Sequence, residues 1–407
     1  MPAPTPRPVI IGTGLAGTRL AQRLGEDAVL IGEEPHAPYN RVLLAEVLAG
    51  TYAPDVIALP RTPASPLRTR AVRIDRERRV VQCENGTEVP YETLVLATGS
   101  NPVLPPLRGL FAPGATELPL GVHAFRTMDD CLALSRAVTE GTRAVVIGGG
   151  LLGVSAARAL ARRGAQVVLT QQAERLMERQ LDPRSSTLVH RHLAELGVEI
   201  HTECRVRGVR VEDGHVRRVE LHDGFMLDTD VTVLACGVRP RTGLAQAAGL
   251  DVRKGIVVDD ELRTSDPHIR AVGDCAQHAG TVYGLATPAL EQADALAALL
   301  TGAEAAYTGT RTLTRLTLPH EAGPLDLAAF GEPDPLPGDD VVQLTDATRG
   351  TYRKVVVRGD RLVGGVLVGE LASVGALALA WEANESLAAD DAVGAPLLHL
   401  LTHDGGL

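Results

Sequence analysis

Aromatic residues make up only 3% of this chain, and among its 40 basic residues only Lys254 and Lys354 are lysines. So few rings exclude a stacking platform for single-stranded nucleic acid. A formal net charge of −10 argues against nucleic acid as a partner altogether. No apolar run approaches the roughly 18 residues of a membrane span, so no spanning segment is expected. Cysteine is sparse and scattered: Cys83, Cys131, Cys204, Cys236 and Cys275 form no CxxC. Their spacings fit neither a zinc nor an iron–sulfur site, and reduced thiols in a reducing compartment are expected. The histidines include no HExxH, and His190 and His192 fall on different faces of a helix, so no metal is expected. Met1 to Pro8 is proline-rich and lacks the apolar core of a signal peptide, which makes a cytoplasmic location the expectation.

What is present is an ordinary globular composition, 45% hydrophobic and 22% charged, over 407 residues. At roughly 100–200 residues per domain this predicts two or three domains. Two segments are alike. Val9-Ile10-Ile11 runs into Gly12-Thr13-Gly14-Leu15-Ala16-Gly17, a helical stretch to Leu24 and a second apolar run ending at Glu33-Glu34. Ala144 to Ile147 runs into Gly148-Gly149-Gly150-Leu151-Leu152-Gly153, a helical stretch to Arg163 and an apolar run ending before Gln171-Gln172. Each reads as a strand, glycine turn, helix and strand, so two nucleotide-binding βαβ units are expected. Alternating residues predict a hairpin within Ala71 to Gly99, turning at Glu84-Asn85-Gly86, and another from Val206 to Leu227. The proline-rich stretch Pro102 to Pro119 reads as a linker. Beyond about Leu313, strands at Arg353 to Val357 and Leu362 to Val368 and a helix over Ser373 to Asn384 predict a third, smaller domain.

The glycines carry the chemistry. Gly12 and Gly148 permit the tight turn, Gly14 and Gly150 let backbone approach a pyrophosphate, and Gly17 and Gly153 let the helix pack on the strand. The helix starts at Leu15-Ala16 and Leu151-Leu152 then stabilise phosphate charge. The acid closing the first unit, Glu34 or alternatively Glu33, is expected on a ribose. Gln171 and Gln172 stand at the matching point of the second unit; either could bond a 2′-hydroxyl and neither repels a 2′-phosphate.

Two further runs point to a family. Leu94-Val95-Leu96-Ala97-Thr98-Gly99-Ser100 and Ile269-Arg270-Ala271-Val272-Gly273-Asp274-Cys275-Ala276 resemble the flavin-side turn and second FAD motif of two-dinucleotide-binding-domain flavoproteins. Glu33 to Arg41, Leu176-Met177-Glu178-Arg179-Gln180-Leu181-Asp182 and the strands around Lys354 are similar to the flavoprotein part of the NAD(P)H nitrite reductase large subunit and to ferredoxin and rubredoxin reductases. The resemblance implies an α/β fold of two Rossmann-like domains, the NAD domain inserted into the FAD domain, plus a small C-terminal α+β domain. The expected limits are 1–113 and 241–311 for FAD, 114–240 for NAD(P)H and 312–407 for the third. It implies FAD on Gly12, Gly14, Leu15, Ala16, Gly17, Glu33, Glu34, Arg41, Ala97, Thr98, Gly99, Gly273 and Asp274. Thr287 and Pro288 would begin a helix, from about Ala289, aimed at the flavin. NADH or NADPH would lie on Gly148, Gly150, Leu151, Leu152, Gly153, Gln171, Gln172 and Gly237.

Departures matter as well. Glu46 stands where ferredoxin reductases carry a lysine, a weak candidate for proton transfer, and Ser155 where relatives carry a glutamate. Pro38 to Gly50 holds no cysteine, so no thiol relay is expected. The implied function is hydride transfer from NAD(P)H to FAD, then electron delivery to a small redox protein or a reductase subunit. The arginines from Arg61 to Arg79 are either a solvated hairpin face or a docking patch for an acidic carrier. The alternatives are an NAD(P)H oxidase or small-molecule flavin oxidoreductase, and a flavin-binding regulatory or scaffold subunit. A homodimer is left open.

Overall fold

The computed structural model describes residues 7–320, 323–346, 348–384 and 386–387. Its contacts divide the chain into two compact units. The first consists of Met1–Val103, Arg126–Leu132 and Val238–Thr310. Its main sheet is parallel, in the order Ile269–Ala271, Leu94–Leu96, Val9–Ile11, Val29–Gly32 and Leu67–Arg68. Val9, Ile10 and Ile11 are buried, as a central parallel strand covered on both faces requires. Gly12 ends that strand at φ +121°, and a Cβ there would lie 2.1 Å from the Ala97 carbonyl oxygen. Helix Leu15–Leu24 follows, and helix Ala286–Leu300 packs beside it, with Arg19 holding Asp294 at 2.8 and 2.9 Å. That second helix opens at Ala286, earlier than the sequence indicated, with Pro288 in its first turn.

The alternating segment after Ala71 is not one hairpin but three antiparallel strands, Ala71–Asp75, Val80–Cys83 and Glu88–Pro90. The extra turn uses Arg79 at φ 52°, a conformation its charged sequence does not advertise.

The second unit consists of Leu104–Phe125, Ala133–Gly237 and Arg311–Leu407. Its sheet repeats the first: Glu199–His201, Gln166–Thr170, Arg143–Ile147, Val231–Leu234 and Val122–Ala124, all parallel. Helix Leu151–Arg162 follows the glycine turn. The expected second hairpin is present as Val206–Glu212, His215–Leu221 and Met226–Asp228. The proline-rich stretch is not a free linker, because Leu110 is buried in the core of this unit and Leu107 and Leu118 pack against it. Five antiparallel strands, in the order Leu313–Leu318, Leu325–Gly331, Arg361–Val368, Thr351–Arg358 and Asp340–Asp346, form the C-terminal sheet. Helix Val374–Ala383 covers it through Leu377 and Trp381, which packs on Phe330. The fold is thus the α/β one expected, with an α+β addition. Among the described residues no helix is long and apolar enough to cross a membrane.

Candidate functional site

A cavity of about 650 Å³ opens in the first unit, within the range of a cofactor site. Its lining brings together most of the residues singled out in the sequence: Gly12, Gly14, Leu15, Ala16, Glu33, Glu34, Arg41, Ala97, Thr98, Gly99, Gly273 and Asp274. Gly17 stands behind it. A Cβ there would fall 1.9 Å from the Gly12 carbonyl oxygen, so its place is in the packing of helix on strand. Gly284, Leu285 and Ala286 bring the start of helix Ala286–Leu300 to the lining, while Thr287 and Pro288 fall just outside it. Glu46 sits on the short helix Leu44–Leu48, also outside the lining.

Charge is concentrated here. Glu34 accepts from the Tyr39 hydroxyl at 2.6 Å and from Arg41 at 3.1 Å, and Glu33 pairs with Arg241. Asp274 accepts from the Ser100 hydroxyl at 2.8 Å and from the Arg126 guanidinium at 2.6 Å. Arg126 and Arg241 line the cavity without having been singled out by any motif, and Ser100, the last residue of the flavin-side run, joins them. Arg126 lies 148 residues from Asp274, on a return of the chain into this unit that no local pattern announces. Burial and the neighbouring Arg41 lower the Arg126 pKa while Asp274 opposes the shift, and its Nε finds no partner among the described residues.

These features fit an anionic dinucleotide. No side chain caps helix Leu15–Leu24, whose first amides open at Gly14, and a Cβ on Gly14 would meet nothing nearer than Arg41 at 3.9 Å. Free helix amides, an open approach and two arginines are what a pyrophosphate needs. Helix Ala286–Leu300 points its positive end at the same cavity.

The second glycine turn has the same backbone. Gly148 is at φ +111°, a Cβ on Gly153 would lie 1.7 Å from the Gly148 carbonyl oxygen, and one on Gly150 would meet nothing within 4 Å. Leu151 and Leu152 start its helix without a side-chain cap, and Gly237 (φ 96°) lies three residues past the neighbouring strand Val231–Leu234. The two glutamines are not equivalent. Gln171 is buried, accepts from the Gly149 amide at 2.9 Å and reaches the Arg175 carbonyl, whereas Gln172 is exposed. Ser155 donates to the Leu151 carbonyl within its helix.

Among the described residues no cysteine lines the cavity. Cys275, next to Asp274, is fully buried and donates to the carbonyls of Leu96 and Val272 at 3.2 and 3.3 Å. Three of the clustered arginines are neutralised: Arg70 by Glu84, Arg78 by Glu88 and Arg76 by Asp266. That favours a solvated hairpin face over a free basic patch.

Residues 6–293 match the family model of the pyridine nucleotide-disulphide oxidoreductases, and residues 323–382 that of the rubredoxin NAD+ reductase C-terminal domain. The chain is 34% identical over 376 residues to the nitrite reductase (NAD(P)H) of Bacillus subtilis (strain 168), covering 89% of this chain and 45% of that protein. It is 33% identical over 290 residues to the rubredoxin-NAD(+) reductase of Pseudomonas putida, covering 68% and 73%. The structure of a covalent putidaredoxin reductase–putidaredoxin complex superposes with a TM-score of 0.84 at 27% identity, covering 98% of each chain. The chain spans about half the length of the nitrite and nitrate reductase relatives it matches. On the doubled glycine turn, the second FAD motif and these matches, the chain belongs to the pyridine nucleotide-disulphide oxidoreductase family, as an NAD(P)H-dependent flavoprotein oxidoreductase with FAD as its cofactor.

Proposed function

We propose that this flavoprotein takes a hydride from NADH or NADPH and delivers the electrons to a separate acceptor, a small redox protein or a reductase subunit. The observation that carries this reading is the cavity without a thiol. Among the described residues the wall holds glycines, carboxylates and arginines but no cysteine, which favours electron delivery to a separate acceptor over disulphide exchange. In this reading the first unit binds FAD, and the second binds the nicotinamide dinucleotide and adds the C-terminal domain. FAD, when bound, supplies the capacity to accept a hydride and give up electrons singly. The chain's own residues hold and polarise it. The amides at Gly14, Leu15 and Ala16, with Arg126 and Arg41, neutralise its phosphates, and Asp274 takes hydroxyl donors of its sugar-alcohol chain. Glu33 and Glu34 serve the adenosine ribose, and the positive end of helix Ala286–Leu300 favours negative charge on the ring. Gly148, Gly150, Gly153, Gln172 and Gly237 serve the nicotinamide dinucleotide. Glu46, outside the lining, is given no role in this reading.

Two similarities support a protein acceptor. One relative is an assimilatory nitrate reductase electron transfer subunit, 34% identical, and a neighbouring structure is captured joined to putidaredoxin. The test is steady-state oxidation of NADH with ferricyanide, with a [2Fe–2S] ferredoxin and with oxygen alone. Fast reduction of the first two and slow oxygen consumption is the expected result. Oxygen uptake as fast as ferricyanide reduction, with no response to a carrier protein, would replace this reading with an oxidase.

A further inference from the structure

Asp182 is 3% exposed and collects four hydrogen bonds. Ser185 donates its amide at 2.9 Å and its hydroxyl at 2.6 Å, which is an ordinary cap for helix Pro183–Glu195. The other carboxylate oxygen takes the Tyr352 hydroxyl and, at 3.1 Å, the Lys354 ammonium. Both donors stand on strand Thr351–Arg358 of the C-terminal sheet, 1% and 7% exposed. A helix cap does not need them, and a buried ammonium is costly unless something uses it. Burial alone would raise the Asp182 carboxyl, but the bonds from Ser185, Tyr352 and Lys354 outweigh it and hold it below its ordinary range.

The segment preceding Asp182 leads to the second glycine turn. The amides of Gln180 and Leu181 both donate to the Met177 carbonyl at 2.9 Å, and the Met177 amide donates to the Gly149 carbonyl at 2.8 Å. Met177 is buried at φ 49°, a left-handed conformation that a side chain adopts only where its surroundings impose it. Leu176 lies where a Cβ on Gly149 would be, 2.6 Å away. Arg175 Nε holds the Leu181 carbonyl at 3.1 Å. The glycine turn, the loop and Asp182 therefore form one hydrogen-bonded piece, anchored at its far end by Tyr352 and Lys354.

We propose that Lys354 and Tyr352 are positioning residues for the nicotinamide dinucleotide: by pinning Asp182 they hold the 176–181 loop against Gly149 and so shape the turn that binds it. The C-terminal domain would then tune cofactor binding at a turn to which it contributes no glycine. This rests on reading Gly148 to Gly153 as the NAD(P)H site.

The test uses the full FAD-loaded chain with Lys354→Met, Lys354→Arg, Tyr352→Phe and Gly150→Val, read by NADH kinetics with ferricyanide, NAD+ calorimetry and amide hydrogen exchange. Lys354→Met is expected to raise the NADH KM and the NAD+ Kd about tenfold, to leave kcat within about twofold, and to speed exchange at Met177 and Leu181. Tyr352→Phe should move the same readouts less, and Lys354→Arg, which keeps the charge, should recover most of the loss. Faster exchange with unchanged KM and Kd would overturn the proposal and leave a purely structural clamp. If Lys354→Met does not fold, Tyr352→Phe, which removes one oxygen, decides in the same way. Gly150→Val separates the two readings, because its side chain enters open space on an intact fold. A raised KM there with no effect at Lys354 or Tyr352 rejects only the positioning role, whereas an unchanged KM there rejects the site itself.

Discussion

The two glycine turns share a backbone and differ in what surrounds it. Gly12 and Gly148 stand at φ 121° and 111°, and Ala97-Thr98-Gly99 has its counterpart in Ala235-Cys236-Gly237, each closing on a glycine at φ 72° or 96°. The first turn faces a charged cavity lined by Glu33, Glu34, Arg41, Arg126, Arg241 and Asp274. Against the second stand two neutral side chains, Gln171 on the Gly149 amide and Leu176 beside Gly149, with Arg175 one step out on the Leu181 carbonyl. Shared geometry is what approach to a pyrophosphate demands, so it recurs. The shells answer a different demand. Under the proposed assignment, a resident cofactor gains from several charge-assisted bonds, whereas a dinucleotide that leaves in each turnover is better met by amides and shape.

The sharpest way to break the comparison is to fill each approach in turn. Gly14 and Gly150 have φ −74° and −79°, ordinary for any residue, and each faces open space. Gly14→Val should fold and purify without flavin colour. Gly150→Val should stay yellow while its NADH KM rises on the order of 100-fold. Absorbance of the purified proteins and steady-state kinetics check both; FAD retained in Gly14→Val would show that the cofactor does not approach that turn.

The charged shell comes next. Asp274→Ala removes the acceptor of Ser100 and Arg126 and should weaken FAD by about 1.5–3 kcal/mol, roughly 10–100-fold in Kd. Arg126→Met should do the same from the other side of the pair. Neither change should move the NADH KM of the fraction that retains flavin, because Asp274 and Arg126 both line the first unit's cavity. Flavin titration of the apoproteins measures this, and full retention in both variants would strip the shell of its role.

The extent to which all this was legible follows from the range of each interaction. The glycine turns could be read because strand, turn and helix lie within a dozen residues and only glycine tolerates the contacts at positions 12, 17, 148 and 153. Arg126 and Arg241 could not, since their partners Asp274 and Glu33 lie 148 and 208 residues away. Gln171 and Gln172 looked equivalent because adjacent residues at a strand end differ only in which face they take, and burial decides that. The arginine run left a solvated face and a docking patch both open because its partners Glu84 and Glu88 come from the next turn and strand, and Asp266 from 190 residues on. The C-terminal anchor on Asp182 was invisible for the same reason, with Tyr352 170 residues away.

A smaller effect tests the neutral shell. Gln172 is exposed beside the second turn, so Gln172→Glu should repel a 2′-phosphate and shift preference toward NADH about fivefold to tenfold. Gln171→Glu keeps an acceptor for the Gly149 amide but places a charge in a buried position, so it should cost stability as well as shift preference. The ratio of kcat/KM for NADH and NADPH, with thermal melting alongside, separates the two. Equal shifts with equal stability would mean that both side chains face the dinucleotide.

The last contrast concerns stability alone and lies at Cys236, the counterpart of Thr98. Thr98 gives its hydroxyl to the Arg241 carbonyl at 2.7 Å and does not titrate in the working range. Cys236 does titrate, and burial pushes its thiol from 9.0 up to about 11. Between those values the unfolded chain has released the thiol proton and the folded chain still holds it. The folded state then binds more protons, so stability falls as pH rises. The contribution is intact below pH 9 and spent by about pH 11, a loss of at most about 2–3 kcal/mol. Tyr91, raised to about 12 by burial, contributes with the same sign at still higher pH, so the wild type alone does not isolate the thiol. The difference between wild type and Cys236→Ala does. Urea unfolding from pH 8 to 11 should show the wild type losing ground to Cys236→Ala by about 2 kcal/mol. Thr98→Ala should run parallel to the wild type across the same range. A flat difference for Cys236→Ala would mean that the thiol ionises freely in the native state, and that the second turn is open to a thiolate the first turn lacks.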